Sequence, residues 1–426
     1  MKNKKSKKGW SRRTFIKQCG VGALGIATAS LGFPNIILGK EPEEILLGAV
    51  YPISGPAARE GGYARNGLQL AVEDINNRGG IKSFGGAKLK LLVGDCMVDP
   101  SKGMTETEKM IKAKVALVFG CFVSSITIAA TQVAEKYQIP FIVDISVADI
   151  ITERGFKWTF RTNIKTSMQA QQYDEMVYLL SKATNTSIKT GVFLHENGLY
   201  GQSWKEALMK YVGEKSSLKI IESIAYPTQT KDMTTEILKA KALKPDIILS
   251  INYAPDAVLM MRTLFEQKVD CLGVVTPAST GISDPIFGES LGNIADYVSD
   301  VLYAVNWKNP KTVDMHNRYV KRFNEPWQES VDLSYDAMLV VADALERAGS
   351  TDPIKLRSAI AKTNFSESIM YRSGGPIRFN ERGENISGSM AMLQWNKGKA
   401  QYVIPLEFAQ TKVVFPVPKW DERKIR

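Results

Sequence analysis

The sequence contains few of the side chains that hold transition metals. It has two histidines, His195 and His316, and four scattered cysteines among 426 residues. A zinc site needs three or four such ligands brought together, usually at close spacing. No Walker phosphate loop occurs either. We therefore expect no metal, no cofactor and no enzymatic activity, although an enzyme assembled from scattered carboxylates and serines is an open alternative.

Long hydrophobic runs are also missing after residue 40. None approaches the roughly 20 apolar residues that a membrane-spanning helix needs. The formal charge of +11 invites a nucleic-acid-binding interpretation, but eight basic residues and no acidic ones lie within residues 1–39. Without those eight, 47 basic residues stand against 44 acidic ones. The charge belongs to the N-terminus, and we expect no nucleic-acid partner.

Residues 1–39 have the organisation of an export signal. Lysines lead into Ser11–Lys17, SRRTFIK, which resembles a twin-arginine motif, and an uncharged stretch rich in glycine and alanine follows. Ala27-Thr28-Ala29 offers small residues for cleavage, which puts a mature start near Ser30. An uncleaved membrane anchor is the alternative. We expect a periplasmic or extracellular protein exported by the twin-arginine route.

Residues 44–95 have the pattern of a βαβ unit. A short apolar run, Ile45–Val50, predicts a strand buried on both faces. A loop with two prolines follows, then a helix with apolar residues on one face that ends at Gly79-Gly80. Lys88–Asp95 predicts the next strand. Parallel strands joined in this way place ligands at their carboxyl ends.

The same alternation of strand and helix continues along the chain in two series. The first ends near the extended segment 157–163, and the second runs from a helix at 167–182 to a strand at 272–276. Two long helices at 312–324 and 331–348 and a closing hairpin at 389–405 follow. This alternation predicts an α/β protein with parallel, doubly wound sheets.

The amino-acid sequence of the opening unit resembles that of a known protein family. GAVYPISGP followed by NGLQLAVEDINNRGGI is similar to the start of periplasmic binding proteins of the leucine/isoleucine/valine-binding type, and the resemblance extends over residues 45–405. It implies two doubly wound parallel-sheet lobes joined by a three-strand hinge, the type I fold. The implied divisions are 44–162 with 306–374 for the N-lobe, 163–305 with 375–410 for the C-lobe, and a tail at 411–426.

Two neighbouring serines follow the third strand in FGCFVSSITIAA. Ser124 and Ser125 stand where a hydroxyl and free backbone N–H groups can hold a carboxylate. A plain serine N-cap is the alternative explanation. The family resemblance implies a carboxylate site at Ser124, with Ser125 as its neighbour.

Further ligand contacts are implied by the same resemblance. The loop after the fourth strand offers Asp144, Ser146 and Val147, of which Asp144 either meets a ligand amine or caps the following helix. Tyr200 and Tyr253 correspond to the tyrosines that close over the ligand from the second lobe. A tyrosine offers a rigid apolar face and one hydroxyl, which suits that task.

The charge of the ligand is left open by two departures from the family pattern. The segment around Ser279 carries no acid, although amino-acid binders place one there. Glu60 stands where relatives often have an aromatic residue. If Glu60 or Asp144 supplies a negative charge, an amino-acid ligand is favoured. Otherwise an amide, a carboxylate or an aromatic acid is favoured.

Cys96 and Cys121 follow two successive strands and either pair as a disulfide or stay reduced and buried. Relatives often carry a disulfide between these two loops, but the aligned positions here are Val98 and Val123.

The resemblance implies that the chain is the substrate-binding component of an ABC importer. It would capture a small solute by hinge closure, act as a monomer, and deliver the solute to a membrane permease with ATPase subunits. A ligand sensor or regulator on the same fold is the first alternative, and an exported enzyme is the second.

Overall fold

The computed structural model describes residues 44–371 and 374–423. The predicted export signal therefore lies outside the described residues. The described chain forms two lobes, each built on a sheet with helices packed against it. The predicted α/β class and the alternation of strands and helices are confirmed.

The first lobe contains a five-stranded parallel sheet in the order β2-β1-β3-β4-β5. The strands at residues 44–51, 118–120 and 141–143 are largely buried and apolar, whereas the edge strand at residues 88–95 is only partly buried. The strands are β1 Glu44–Tyr51, β2 Lys88–Asp95, β3 Val118–Gly120, β4 Phe141–Val143 and β5 Thr159–Arg161, and the helices between them are α1 Ala58–Asn77, α2 Pro100–Lys112, α3 Ser124–Tyr137 and α4 Ile150–Glu153.

The second lobe contains a seven-stranded sheet in the order β14-β13-β10-β9-β8-β6-β7. Strand β13 runs antiparallel to both of its neighbours, β10 and β14. The predicted closing hairpin is confirmed by that pairing. The strands are β6 Thr190–Glu196, β7 Lys219–Tyr226, β8 Ile247–Ile251, β9 Gly273–Pro277, β10 Ser299–Tyr303, β13 Met390–Asn396 and β14 Lys399–Ile404, and the helices are α5 Thr166–Thr184, α6 Leu199–Tyr211, α7 Thr234–Leu243, α8 Ala254–Glu266, α9 Thr280–Ser283 and α10 Pro285–Leu291.

Helix α7 starts at Thr234 because the Asp232 carboxylate accepts the Thr234 N–H at 2.8 Å and the Thr234 hydroxyl at 2.6 Å. A short acidic side chain that binds backbone N–H groups in this way favours a helix start over a helix interior.

The chain returns to the first lobe after β10. There it forms α11 Pro310–Phe323, α12 Glu329–Ala348, α13 Pro353–Ala361 and the short antiparallel pair β11 Asn364–Phe365 and β12 Ile377–Arg378. Helix α12 packs along α1.

Helices α1 and α12 run in the same direction. Gly67 faces Val331, the Tyr335 hydroxyl donates to Asp74 at 2.6 Å, and the Lys82 N–H donates to Glu346 at 2.7 Å. A β-carbon at Gly67 would lie 2.4 Å from the Val331 carbonyl oxygen, so the close approach requires glycine. Because α1 starts just beyond the carboxyl end of β1, α12 also starts at that edge of the sheet.

Three segments connect the lobes, near residues 161–165, 304–309 and 379–389. Isolated backbone bridges join the first of them to the third, at Arg161 and Glu384, and the second to the first lobe, at Val305 and Met370. The lobe boundaries of the sequence analysis stay a prediction.

The segment that was predicted as a tail packs on the second lobe. Gln394 exchanges two hydrogen bonds with the Val414 backbone, at 2.9 and 3.0 Å. The Val417 N–H donates to Leu272, and the buried Trp420 indole donates to Val269, both at 2.9 Å. Residues 414–420 therefore extend the core of the second lobe.

The Arg161 guanidinium is buried between the connecting segments. Its side chain is 0% exposed, and its Nε lies 3.3 Å from an oxygen of Glu384, which is 3% exposed. It also donates to the carbonyls of Ser146 and Ala148, at 3.2 and 3.0 Å. The guanidinium thus joins β5, the loop after β4 and the third connecting segment.

Replacing Arg161 with methionine should destabilise the protein by about 3–5 kcal/mol, because Glu384 would stay buried without its cation. Urea unfolding of the purified variant measures this. Arg382→Met is the matched control, since Arg382 is exposed on the same segment, and it should change stability by less than about 0.5 kcal/mol. Equal, small effects of both substitutions would contradict the proposed role of the guanidinium.

Candidate functional site

A small cavity lies between the two lobes and measures about 30 Å³. That is room for about two water molecules, so the lobes are nearly closed on each other. Both lobes contribute to its wall. It is lined by Phe122, Ser124, Ile145, Ser146, Val147, Gln169, Tyr200, Tyr253, Ala278, Thr280, Leu302, Tyr303, Glu329, Ser330 and Leu333.

Five of the nine residues singled out in the sequence line this cavity. They are Ser124, Ser146, Val147, Tyr200 and Tyr253. The other four lie outside the lining: Ser125 is exposed, whereas Glu60, Asp144 and Ser279 are buried elsewhere.

The start of α3 forms one wall of the cavity. Ser124 is the first residue of the helix, and its side chain is buried. The Ser146 hydroxyl lies 2.8 Å from the Phe122 carbonyl, to which it donates, and 2.6 Å from the Thr127 hydroxyl. The first N–H groups of a helix are unpaired within it and form the positive end of its dipole. This wall therefore suits a carboxylate.

Two tyrosines of the second lobe form another wall. The Tyr200 and Tyr253 ring centroids lie 5.8 Å apart, and the Tyr200 hydroxyl donates to the Ala278 carbonyl at 2.8 Å. Tyr200 lies at the start of α6, and Tyr253 directly precedes α8. The family resemblance implied both residues, and each follows the end of a buried strand.

The Asp144 side chain binds other residues of the protein and does not line the cavity. Its carboxylate accepts hydrogen bonds from the Tyr51 hydroxyl and, at 2.6 Å, from the Ser334 hydroxyl. Burial raises the pKa of Asp144 despite these two bonds. The side chain links β1, β4 and α12, and it neither lines the cavity nor caps α4.

Ser279 also lies behind the cavity wall. Its hydroxyl donates to the Asn252 side chain at 3.3 Å, and its N–H donates to Asp300 at 3.1 Å. These bonds hold the loop between β9 and α9, which presents Ala278 and Thr280 to the cavity. This segment therefore contributes no acidic side chain to the cavity wall.

Direct contacts cross from one lobe to the other beside the cavity. Arg59 of α1 lies 3.2 Å from Asp284, the residue before α10. The Ser283 hydroxyl donates to Glu329 at 2.6 Å. Burial raises the pKa of Glu60 to about 7, and a hydrogen bond from the Ala254 backbone partly opposes this shift. The described conformation is therefore a closed one.

Five polar residues of the wall were missed in the sequence: Gln169, Thr280, Tyr303, Glu329 and Ser330. Gln169 lies inside a predicted helix, and Tyr303 ends a buried strand. Glu329 is the first residue of α12, where an acid usually only complements the helix dipole. The sequence carried no signal for Glu329, because its place at the cavity depends on how α12 packs against α1.

The remaining predictions concern cysteines, metals and membranes. Cys96 and Cys121 are buried free thiols, which confirms the reduced alternative. Among residues 44–371 and 374–423, no group of three or more histidine, cysteine or acidic side chains is placed to hold a metal ion. In the same part of the chain, no helix is both long enough and apolar enough to span a membrane.

Comparisons with known proteins agree with this architecture. The family model described as periplasmic binding protein matches residues 44–400. A Leu/Ile/Val-binding protein homolog 7 of Brucella abortus is 30% identical over 387 residues, which cover 88% of this chain and 94% of the relative.

Solved structures resemble the fold at lower identity. A branched-chain amino acid transporter substrate-binding protein from Streptococcus pneumoniae, in complex with isoleucine, has a TM-score of 0.73 at 21% identity and covers 88% of this chain and 100% of its own. An ABC transporter solute-binding protein from R. palustris, in complex with benzoate, has a TM-score of 0.71 at 19% identity and covers 88% and 97%. The two-lobed type I fold is thereby confirmed.

The environment of Glu329 predicts an effect of pH on stability. Burial, and next the opposing hydrogen bond from Ser283, set a pKa of about 8 for Glu329 in the folded chain. When the pKa of a carboxyl is higher in the folded chain than in the unfolded chain, the protein loses stability as the pH rises from the unfolded pKa to the folded pKa. Relative to Glu329→Gln, the wild type should therefore lose up to about 1.4 kcal/mol per pH unit between pH 5 and 8.

Urea unfolding of both proteins at pH 5, 6 and 7 measures this difference. The free energy of unfolding of the variant should increase relative to that of the wild type as the pH rises. Parallel curves would show that Glu329 titrates as an ordinary exposed glutamate.

Proposed function

Because this chain belongs to the periplasmic binding protein family, we propose that it is the exported substrate-binding component of an ABC importer. It captures a small solute between its two lobes and delivers it to a membrane permease with ATPase subunits. The observation that carries the proposal is the cavity between the lobes, whose walls come from the α3 start in one lobe and two tyrosines in the other.

The proposed mechanism is hinge closure. A cavity of about 30 Å³ has room for only about two water molecules, so the lobes must part before a larger solute enters. The ligand first meets Ser124 and Ser146, and Tyr200 and Tyr253 then arrive with the second lobe. A ligand favours the closed state only through contacts that the open state lacks, and a ligand touching both lobes supplies them.

The ligand is proposed to carry a carboxylate. Isoleucine and benzoate, found with the two similar solved proteins, differ in size and shape but share that group. The α3 start and the Ser124 hydroxyl offer donors for it at one wall of the cavity. The apolar side chains of Phe122, Ile145 and Leu333 suit the remainder of such a molecule.

Export and assembly complete the proposal. The twin-arginine signal at residues 1–39 would deliver the folded, monomeric protein to the periplasm or the cell exterior. There, the closed, loaded form would be recognised by the permease.

The Ser124→Ala variant should bind carboxylate ligands about 10-fold to 100-fold more weakly, because a hydrogen bond to a charged group contributes about 1.5–3 kcal/mol. Isothermal titration of the mature protein, stripped of co-purified ligand, with isoleucine and with benzoate measures this effect. Ser125→Ala is the matched comparison, since the neighbouring Ser125 side chain is exposed and outside the cavity lining.

Equal affinities for wild type and Ser124→Ala would contradict the carboxylate site. The import role is tested separately, by reconstituting the permease and its ATPase subunits in liposomes. The loaded protein should stimulate ATP hydrolysis, whereas binding without any stimulation would favour the sensor alternative.

A further inference from the structure

We propose that Gln169, Tyr303 and Glu329 form a subsite that binds a nitrogen-bearing group of the ligand, either a protonated amine or a carboxamide. We call these three residues the nitrogen subsite. The proposal deepens the proposed function, and it rests on it, because the subsite lies in the same cavity. It narrows the ligand to one that carries N–H donors, either as an amine beside the proposed carboxylate or as a carboxamide in place of it.

Gln169 lines the cavity and has a buried acceptor that no described residue pairs. Its Nε2 donates to the Ile164 carbonyl and to the Tyr303 hydroxyl, both at 2.7 Å. A carbonyl can only accept, so these bonds fix the orientation of the amide. Gln169 is 0% exposed, and its Oε1 has no hydrogen-bond partner among the described residues. A buried acceptor without a partner costs about 1–3 kcal/mol, and a ligand N–H would remove that cost.

Tyr303 has a proton to donate. Its hydroxyl oxygen accepts from Asn163 and from Gln169, each at 2.7 Å. The Asn163 amide is also fixed, because its nitrogen donates to the Ile145 carbonyl at 3.0 Å. Two N–H groups therefore occupy both lone pairs of the hydroxyl. No protein acceptor for its proton is found in the described part of the chain, which leaves the proton for the ligand.

Glu329 lines the cavity without a cation. It is 4% exposed, and the Ser283 hydroxyl donates to one of its oxygens at 2.6 Å. Within residues 44–371 and 374–423, no lysine, arginine or histidine forms an ion pair with it. A buried acid of this kind is stabilised by a partner with positive charge or with N–H donors.

The three residues together select for nitrogen. A ligand with only a carboxylate would leave the Gln169 oxygen without a donor. An ammonium group or a carboxamide NH₂ can donate to both acceptors. A carboxamide can, in addition, accept the Tyr303 proton through its own oxygen. Sites that are built to bind an N–H group reject analogues that lack it.

Two pairs of probes separate the alternatives. Isoleucine and 3-methylpentanoate differ only in the amine, whereas benzamide and benzoate differ in the amide nitrogen. Isothermal titration of the stripped mature protein should give at least about 10-fold tighter binding for the nitrogen-bearing member of one pair. A preference for isoleucine identifies an amine ligand, and a preference for benzamide identifies a carboxamide ligand.

Variants assign that preference to the subsite. Glu329→Gln should remove a preference for isoleucine, and Gln169→Met should reduce a preference for either nitrogen compound at least about 10-fold. Asp256→Asn is the matched control, because Asp256 is also a buried acid in the first turn of a helix but lies outside the cavity lining. It should leave both preferences unchanged.

The wild-type titrations alone can overturn the proposal, so it stays testable if a variant fails to fold. If 3-methylpentanoate and benzoate bind as tightly as their nitrogen-bearing partners, the nitrogen subsite is wrong and the proposed function stands. Binding of none of the four probes would count against both. A preference that survives both Glu329→Gln and Gln169→Met would also overturn the assignment.

Discussion

The buried guanidinium of Arg161 is the interaction on which the arrangement of the cavity depends most. It lies at the end of the last strand of the first sheet, where the chain leaves for the second lobe. From there it pairs with Glu384 on the third connecting segment and binds the carbonyls of Ser146 and Ala148. The loop that carries Ser146 and Val147 is thus fixed to the same group that fixes the connection. A movement of the connecting segments would therefore also move the loop that carries Ser146 and Val147 in the cavity wall.

Closure brings together groups that would be apart in an open form. The Ser283 hydroxyl of the second lobe reaches Glu329 of the first, and Asp284 reaches Arg59 beside it. Asp284 is also near Glu60 and Glu329, and burial raises the pKa of all three acids. A ligand nitrogen that donates a hydrogen bond to Glu329 would favour its ionised form. The α3 start provides the opposite polarity for a carboxylate.

Much of the fold could be predicted from the sequence, because buried parallel strands have continuous apolar runs whose ends are marked by glycine, proline and serine. Strand ends together with the family resemblance pointed to Ser124, Ser146, Tyr200 and Tyr253, and the structure brings these residues to one cavity. Glu329 could not be found in this way. It reaches the cavity because Gly67 lets α12 lie close against α1 in the same direction, and no local pattern records that packing. Asp144 was ambiguous for a related reason, since its partners Tyr51 and Ser334 are distant in the sequence.

The central claim is that a ligand closes the two lobes over this cavity, and a distance measurement between the lobes tests it most directly. Spin labels at Ser101→Cys on α2 and Lys239→Cys on α7 lie at exposed positions of different lobes, while Cys96 and Cys121 are buried. Pulsed electron paramagnetic resonance of the stripped protein should show a population at longer distance. Saturating isoleucine, benzamide or benzoate, whichever binds, should convert it to the shorter, closed distance. An unchanged distance distribution with ligand demonstrably bound would contradict the account.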